Sequence, residues 1–579
     1  MARKQASKTK SANSNGKRLN SQQSVNAAVK SICDIMRRSN CAGAMQYVPE
    51  LTWILFLRIL DERETHEAEH AEAVGADFTP SIEAPYRWRD WTAPDSKRRE
   101  ERLIQGKVLE FVNGELLPYL KGLRDRPNST PRQKVISEIL SGVERVRIDT
   151  QKNLCDVCDK VHGLSAETID DTHVFTLSQI YEGLLLKMGE KGNDGGQFFT
   201  PREIIRAVVR VVAPQIGETV YDPGSGTGGF LAESFVFMAG KNNENIETPD
   251  QLDQLRHDTF FGREKENLIY PIALANLVLH GIDQPNIWHG NTLTGGVTYD
   301  GLFANAPDQF DVVMTNPPFG GKEGKEAQTR FAFKTGATQV LFLQHVIDSL
   351  KPGGRCGMVL DEGVLFRTNE TAFVQTKRKL LDECNLYCIV SLAGGVFSAA
   401  GAGVKTNLLF FNKGEPTQKI WYYDLSDVKV GKRQPFTLDK FDDFFRLLPR
   451  RKDSERSWTI DFVALKKKAA EEAAPFKKQA TAKQQEANRR KEELAGLKKT
   501  EPTPKKKIAE AEQRIAELTK EARELAAGAQ DIEDAVYDLR AVNPNKQTEE
   551  DKRTPGELLD IIEQKGREVV EALAVLRSL

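Results

Sequence analysis

Residues 174–457 alternate short apolar runs with helical stretches, and this alternation constrains the fold more than any other feature of the chain. "ETVYDPGSGTGGF", "TFFGREKE", "FDVVMTNPPF", "RCGMVLDEGVLF", "LYCIVSLAGGVF" and "TNLLFFNKG" each carry a few consecutive β-formers bounded by turn residues. Between several of them lie "IIRAVVRVVA", "LIYPIALANLVLHGI" and "VLFLQHVIDSLKPGG", with helical apolar spacing. Strands apolar on both faces and joined through helices belong to a mostly parallel sheet covered on both sides, an α/β fold.

The flanks read differently. Residues 22–173 are helical throughout: "SVNAAVKSICDIMRRS" is amphipathic, and "PELTWILFLRILDERE" is apolar nearly all round, hence a buried helix. Residues 1–21 hold six Lys/Arg and no acid, a solvated basic tail that either aids solubility or touches a polyanion loosely. From 458 to 542 the composition turns to Lys, Glu, Ala and Gln. Ile508, Ala511, Ile515, Leu518, Ala522, Leu525, Ala529, Ile532, Val536 and Leu539 step alternately by three and four, a heptad seam. The arm before it is weaker, with Lys483 and Arg490 at seam positions and Pro475 interrupting it; Pro502 and Pro504 separate the two. An antiparallel coiled-coil hairpin follows, then a linker and last helix over 543–579. The 579 residues include no apolar run of eighteen, and the N-terminus lacks an apolar leader core. Seven scattered cysteines suit reduced thiols in a cytoplasmic protein, with Cys155 and Cys158 as ordinary helix residues. A net charge of −1 requires any nucleic-acid surface to be local.

The loop "DPGSGTGGF" formally satisfies the dinucleotide fingerprint through Gly224, Gly226 and Gly229. However, the acid that should follow about twenty residues later to hold a ribose is replaced by the polar insertion "KNNENIETPDQL". The next acid at a strand end is Glu264. Asp222, immediately before the glycines, faces a place for a ligand amine. A ligand with an amino-acid end and a nucleoside end suits this loop, and S-adenosyl-L-methionine has both. Upstream, "GGQFFTPREII" reads as a capped helix, with Thr200 as N-cap, Pro201 at the first position and Glu203 at the third. Its positive end would welcome a carboxylate, and Phe198 and Phe199 could wall an apolar methylthio group.

"NPPF" supplies the acceptor side. Asn316 carries an amide oxygen, Pro317 a carbonyl, and the rigid Pro317–Pro318 shelf fixes both at little entropic cost. Two acceptors aimed at an aromatic amine would present its lone pair to an electrophile. Phe319 would stack on the ring, worth about 1–3 kcal/mol, and Gly320 and Gly321 let the loop move. In-line methyl transfer to an exocyclic amine needs nothing more, neither metal nor covalent nucleophile.

Asp-Pro-x-x-Gly-Thr-Gly-Gly followed about ninety residues later by Asn-Pro-Pro-Phe resembles the N6-adenine DNA methyltransferases. "GQFFTPREI", "NLVLHGID", "GNTL", "KPGGRCGMVL" and "GAGVKTNLLFFNKG" narrow the resemblance to the modification subunit of type I restriction–modification systems, over about residues 25–425. It implies a Rossmann-like methyltransferase domain, a helical domain before it and adenine N6-methylation of DNA. The donor pocket would be lined by Gln197, Phe198, Phe199, Thr200, Pro201 and Arg202 and by Gly224, Ser225, Gly226, Thr227, Gly228 and Gly229. Glu264 would bond the ribose hydroxyls, and Asn291 sits where many relatives have an acid near the cofactor adenine. The resemblance also implies double-stranded DNA, a separate DNA-specificity subunit, a restriction (endonuclease/translocase) subunit and two copies per complex.

Other methylation targets fit less well. Cytosine C5 chemistry needs a thiolate, typically after proline, and none of the seven cysteines follows one. In related enzymes cytosine N4 transfer usually begins the shelf with Ser, and glutamine methylation of protein ends it with Tyr. Lys322, Lys325, Arg330 and Lys334 beside the shelf either contact DNA phosphates or form a solvated loop. The hairpin or terminal helix either packs on the specificity subunit or self-associates through the Ile508–Leu539 seam. A self-sufficient methyltransferase of another phage-defence system and a catalytically silent donor-binding scaffold are the alternative functions; intact Asn316, Pro317, Phe319 and Asp222 argue against the scaffold.

Overall fold

The computed structural model describes residues 22–39, 41, 44–163, 200–295, 306–397, 404–431, 434–498, 505–545 and 555–578. The basic tail, Gln197, Phe198, Phe199 and the turn with Pro502 and Pro504 lie outside them.

The N-terminal part is helical, with α1 (Gln22–Arg37), α2 (Ala44–Val74), α3 (Pro131–Ser141) and α4 (Gln151–His162) as its main elements. α2 buries Trp53, Phe56, Leu57 and Leu60, as its all-round apolar sequence requires. α3 starts at a capping box in which the Thr130 side chain and Gln133 exchange hydrogen bonds. Cys155 and Cys158 are buried on α4, burial raises both thiols, and no metal-holding cluster occurs among the described residues.

Among the described residues nine strands form one sheet: β1 (Val220–Asp222), β2 (Phe260–Glu264), β3 (Asn286–His289), β4 (Phe310–Thr315), β5 (Leu350–Asp361), β6 (Cys384–Ser391), β7 (Thr406–Lys413), β8 (Lys419–Asp424) and β9 (Ser457–Asp461). Their spatial order is β3-β2-β1-β4-β5-β7-β6-β8-β9. The first five are parallel, and β7 runs antiparallel between β5 and β6. β9 carries the sheet into the stretch from which the hairpin was expected to start. The chain runs outward from β1 through β2 and β3, then returns to the other side of β1 as β4. Loops leaving β1 and β4 therefore diverge over a crevice at the carboxyl ends of the strands, where open α/β sheets bind ligands.

Helices cover both faces: α5 (Arg202–Val212), α6 (Gly229–Ala239), α7 (Tyr270–Leu279), α8 (Thr338–Ser349) and α9 (Thr371–Glu383). α5 corrects one expectation. It begins at Arg202 with Pro201 as N-cap and no side-chain cap. Thr200 stands outside the helix, and its hydroxyl is engaged elsewhere.

A buried ionic network joins the helical part to the sheet. Arg132 on α3 donates to Glu67 of α2 (2.8 and 3.0 Å) and to Asp283 after α7 (2.9 and 3.0 Å). Arg63 adds Glu67 at 2.8 Å and the carbonyl of Val278.

The hairpin is α10 (Phe462–Leu497) against α11 (Lys505–Asp534). Lys477–Glu533 (2.5 Å), Lys483–Glu521 (2.7 Å) and Lys498–Glu512 (2.7 Å) show it to be antiparallel. Ile515, Leu518, Ala522 and Ala529 are buried, as the heptad seam requires. The first arm differs from expectation. Its seam is Ala473, Ala480 and Ala487 at heptad spacing, with Lys483 and Arg490 in ion pairs at the flank. Pro475 does not interrupt the helix, because it lies on the exposed side, where water can hydrate the carbonyl one turn earlier. The hairpin root is part of the sheet's core: Ala469, Val536, Tyr537, Leu539 and Ala541 pack with β5–β8 residues such as Leu360, Leu386 and Tyr422. α12 (Pro555–Ser578) exposes Leu559, Ile562 and Val569. Among the described residues no helix is long and apolar enough to cross a membrane.

Candidate active site

β1 ends at Asp222 and turns at once into the glycine loop. The loop lies flat on β2, with Ser225 N–H donating to the Arg263 carbonyl (2.9 Å) and Ser225 Oγ to the Asp222 carbonyl (2.9 Å). β2 must carry glycine beneath it, since a Cβ at Gly262 would stand 2.2 Å from Ser225 Oγ. From the other side Asn276 of α7 donates to the Thr227 carbonyl at 2.9 Å.

Two buried carboxylates border this loop. Asp222 Oδ1 accepts from Gly224 N–H at 3.1 Å. Glu264, at the end of β2, accepts from Gly226 N–H and Glu266 N–H, each at 2.8 Å. Burial pushes both up to about 7, against the hydrogen bonds they receive. Buried carboxylates held so high gain from any cation placed against them. Asn291 follows β3, and its Oδ1 accepts from Leu293 N–H at 2.9 Å.

β4 delivers the shelf to the same place. Asn316 donates through Nδ2 to Thr200 Oγ1 at 3.0 Å, which fixes its amide plane. Its Oδ1 is buried and receives no hydrogen bond from any described residue. Such an oxygen is costly to bury empty, and a ligand N–H would satisfy it. Phe319 is half-buried and meets Phe397 edge-on, with centroids 5.2 Å apart and planes at 77°. Gly320 and Gly321, with φ of 74° and 86°, make the left-handed turn that follows.

A cavity of about 530 Å³ unites these groups. Thr200, Asp222, Gly224, Ser225, Gly226, Thr227, Gly229, Glu264, Asn291, Asn316, Pro318 and Phe319 all line it. Pro201, Arg202, Gly228 and Pro317 do not. Lining residues to which the sequence patterns did not point include Thr292, Arg263, Lys265, Glu266, Glu323, Thr338 and Phe342. Lys265 and Glu266 directly follow a strand end and were findable on that ground. Phe342 sits in α8, where nothing in the local sequence separates a site residue from a core one. The basic residues beside the shelf, Lys322, Lys325, Arg330 and Lys334, are all exposed; Lys322 also lines the cavity, and Arg330 alone of the four has a guanidinium that donates to carbonyls of the turn after β3.

The model of the N-6 DNA methylase family matches residues 172–488, and that of the HsdM N-terminal domain residues 25–161. The methylase subunit of the type I restriction enzyme EcoEI from Escherichia coli is 36% identical over 408 residues, covering 69% of this chain and 77% of that one. That of StySPI from Salmonella potsdam is 32% identical over 422 residues, covering 70% and 72%. A crystallised type I modification subunit from Vibrio vulnificus YJ016 superposes with a TM-score of 0.65 at 33% identity, covering 77% of this chain and 93% of that one. A chain from a structure of type I restriction–modification complex assembly gives 0.60 at 33% identity, covering 96% and 98%. With its glycine loop and Asn-Pro-Pro-Phe shelf in one cavity, the chain belongs to the N-6 DNA methylase family, among the methylase subunits of type I restriction enzymes.

Proposed function

We propose that this chain methylates N6 of a flipped-out adenine in double-stranded DNA, with S-adenosyl-L-methionine as donor. It acts as the modification subunit beside a DNA-specificity subunit, two copies to a complex, and with a restriction subunit in the full assembly. The observation that carries the reading is the buried Asn316 Oδ1, without a hydrogen bond from any described residue, in one cavity with Asp222 and Glu264.

The residues present fit such a donor. Its amino-acid ammonium and its cationic sulfur both suit a cavity with two buried carboxylates, and the bound donor supplies an electrophilic methyl. Asp222 would take the ammonium and Glu264 the ribose hydroxyls, a charged hydrogen bond worth about 1.5–3 kcal/mol. On the acceptor side Asn316 Oδ1 would accept from the adenine amine. With its Nδ2 tied to Thr200, the oxygen cannot swing away, and its acceptor direction holds the amine's lone pair toward the methyl. Phe319 would back the base and offset part of the few kcal/mol needed to unstack it. Lys322, Lys325 and Lys334 would lie along the phosphates. The apolar residues of α12, exposed in the isolated chain, would pack on helices of the specificity subunit.

Methylome sequencing of cells expressing the chain with its partner subunits tests the proposal. N6-methyladenine at one recurring site is expected, and it should vanish with Asn316→Ala. Unmodified adenine in donor-loaded wild-type complex would refute it.

A further inference from the structure

Position alone makes Arg330 a phosphate contact, yet although the residue is exposed, its guanidinium is engaged by the chain itself. Nη1 donates to the carbonyl oxygens of Leu293 (2.9 Å) and Thr292 (3.3 Å), in the turn that follows β3. That turn carries Asn291, and Thr292 Oγ1 donates in turn to the Pro223 carbonyl (2.5 Å) of the glycine loop. The guanidinium lies so close over Gly295 that a Cβ there would come within 2.7 Å of Nη1.

The segment around Arg330 is built as a strap. It leaves the shelf through Gly320 and Gly321 and returns at α8, where Thr338 Oγ1 donates to Glu323 Oε1 (3.2 Å) and Glu323 N–H donates to the Gly336 carbonyl (2.9 Å). Ala327 is fully buried in a small cluster with Leu293, Leu341 and Phe342. Lys322, Lys325 and Lys334 of the same segment face solvent. One side of the strap therefore grips the loops that line the donor side of the cavity, and the other offers positive charge.

We propose that Arg330 is a positioning residue for methyl transfer rather than a DNA contact. It latches the strap carrying the catalytic shelf to the turn after β3, and through Thr292 to the glycine loop. Loops from three strands, β1, β3 and β4, are thereby held in one register around the cavity. Because DNA would press on the outer lysines of the same strap, donor and DNA binding become reciprocally coupled through this latch. Donor and acceptor identities rest on the function proposed above; the latch itself does not.

Three forms of the full chain test it: Arg330→Ala, Arg330→Lys and Gly295→Ala. The last displaces the guanidinium while keeping its charge, and because it also strains the turn at a φ of 70°, exchange in Arg330→Ala is the reading that decides the latch. Amide hydrogen exchange on the chain alone reads the latch without any ligand. Arg330→Ala should speed exchange at Leu293 and Gly295 at least tenfold, with Gly295→Ala doing the same at Leu293. Titration with S-adenosylmethionine, and with DNA in the presence of the partner subunits, reads the consequence. Donor affinity should fall more than tenfold in Arg330→Ala and Gly295→Ala, with partial recovery in Arg330→Lys. DNA affinity without donor should stay within about twofold, and the tightening of donor by DNA should disappear. Faster exchange in these variants, together with a wild-type complex that binds no donor, would support the latch and sink the proposed function instead. Unchanged exchange, or DNA affinity lost in Arg330→Ala but kept in Gly295→Ala, overturns the proposal in favour of a phosphate contact.

Discussion

Asp222 sits where a carboxylate is poorly tolerated, and two pH effects of opposite sign follow. Burial raises it from an ordinary 3.8 to about 7, so the stability it contributes is fully present below about pH 4 and is lost as pH rises through 7. Asp222→Asn should therefore stabilise the ligand-free protein by about 2–4 kcal/mol at pH 8 and by little at about pH 3.5. Thermal unfolding at the two pH values checks this. Donor binding runs the other way, because only the ionised form can pair with an ammonium. Its dissociation constant should climb up to about tenfold for each pH unit below 7, as calorimetric titration would record, and Asp222→Asn should bind donor poorly at every pH. On the proposed function Asn316 would act on chemistry and not on donor binding. Asn316→Ala should lower single-turnover methylation by at least ~100-fold while the donor dissociation constant moves by less than about threefold. These residue types were legible in the sequence, since a strand-end acid before glycines and an amide on a proline shelf are local patterns. That Thr200 would hold the Asn316 amide instead of capping α5 was not, because the partner arrives from 116 residues away.

Among the elements, α2 and α3 were legible from apolar periodicity, but their attachment to the α/β part adds to a shared apolar core a set of charges that periodicity ignores. Arg132, Arg63, Glu67 and Asp283 are mostly buried at that junction. Removing one partner leaves the others desolvated and unpaired, so Arg132→Ala should cost ~3–5 kcal/mol, measured by urea unfolding. A conservative Arg132→Lys should recover only part of it, as one ammonium cannot bridge Glu67 and Asp283 in fork geometry. The hairpin teaches the complementary lesson. A heptad seam was plain in α11, whereas the matching seam of α10 is alanine, which composition does not distinguish from an exposed helical face. Small residues there let the two helices approach closely, so Ala480→Leu should overpack the seam by ~1–3 kcal/mol. Since α10 already covers the Ile508–Leu539 seam, self-association through it would require the hairpin to open.

At the scale of the whole molecule the C-terminal elements divide into two kinds. The hairpin root, with β9, Val536, Tyr537 and Leu539, completes the sheet's core, while α12 stands off it with apolar residues exposed. A chain ending at Ser457 should fail to fold as a monomer. One ending at Asn545 should keep the melting temperature of the full chain within about 2 °C and lose co-purification with the specificity subunit. Side-by-side expression and pull-down separate these outcomes. The strand–helix alternation, the helical flanks, the glycine loop and the Asn-Pro-Pro-Phe shelf could all be read before any coordinates, because each is written in contiguous residues whose backbone and burial preferences are local. Which residues share the cavity, which carbonyls engage Arg330, and whether the hairpin root belongs to the core could not be read that way. Those depend on the order in which strands are laid side by side, and strand order brings together side chains about a hundred residues apart for which no local preference exists.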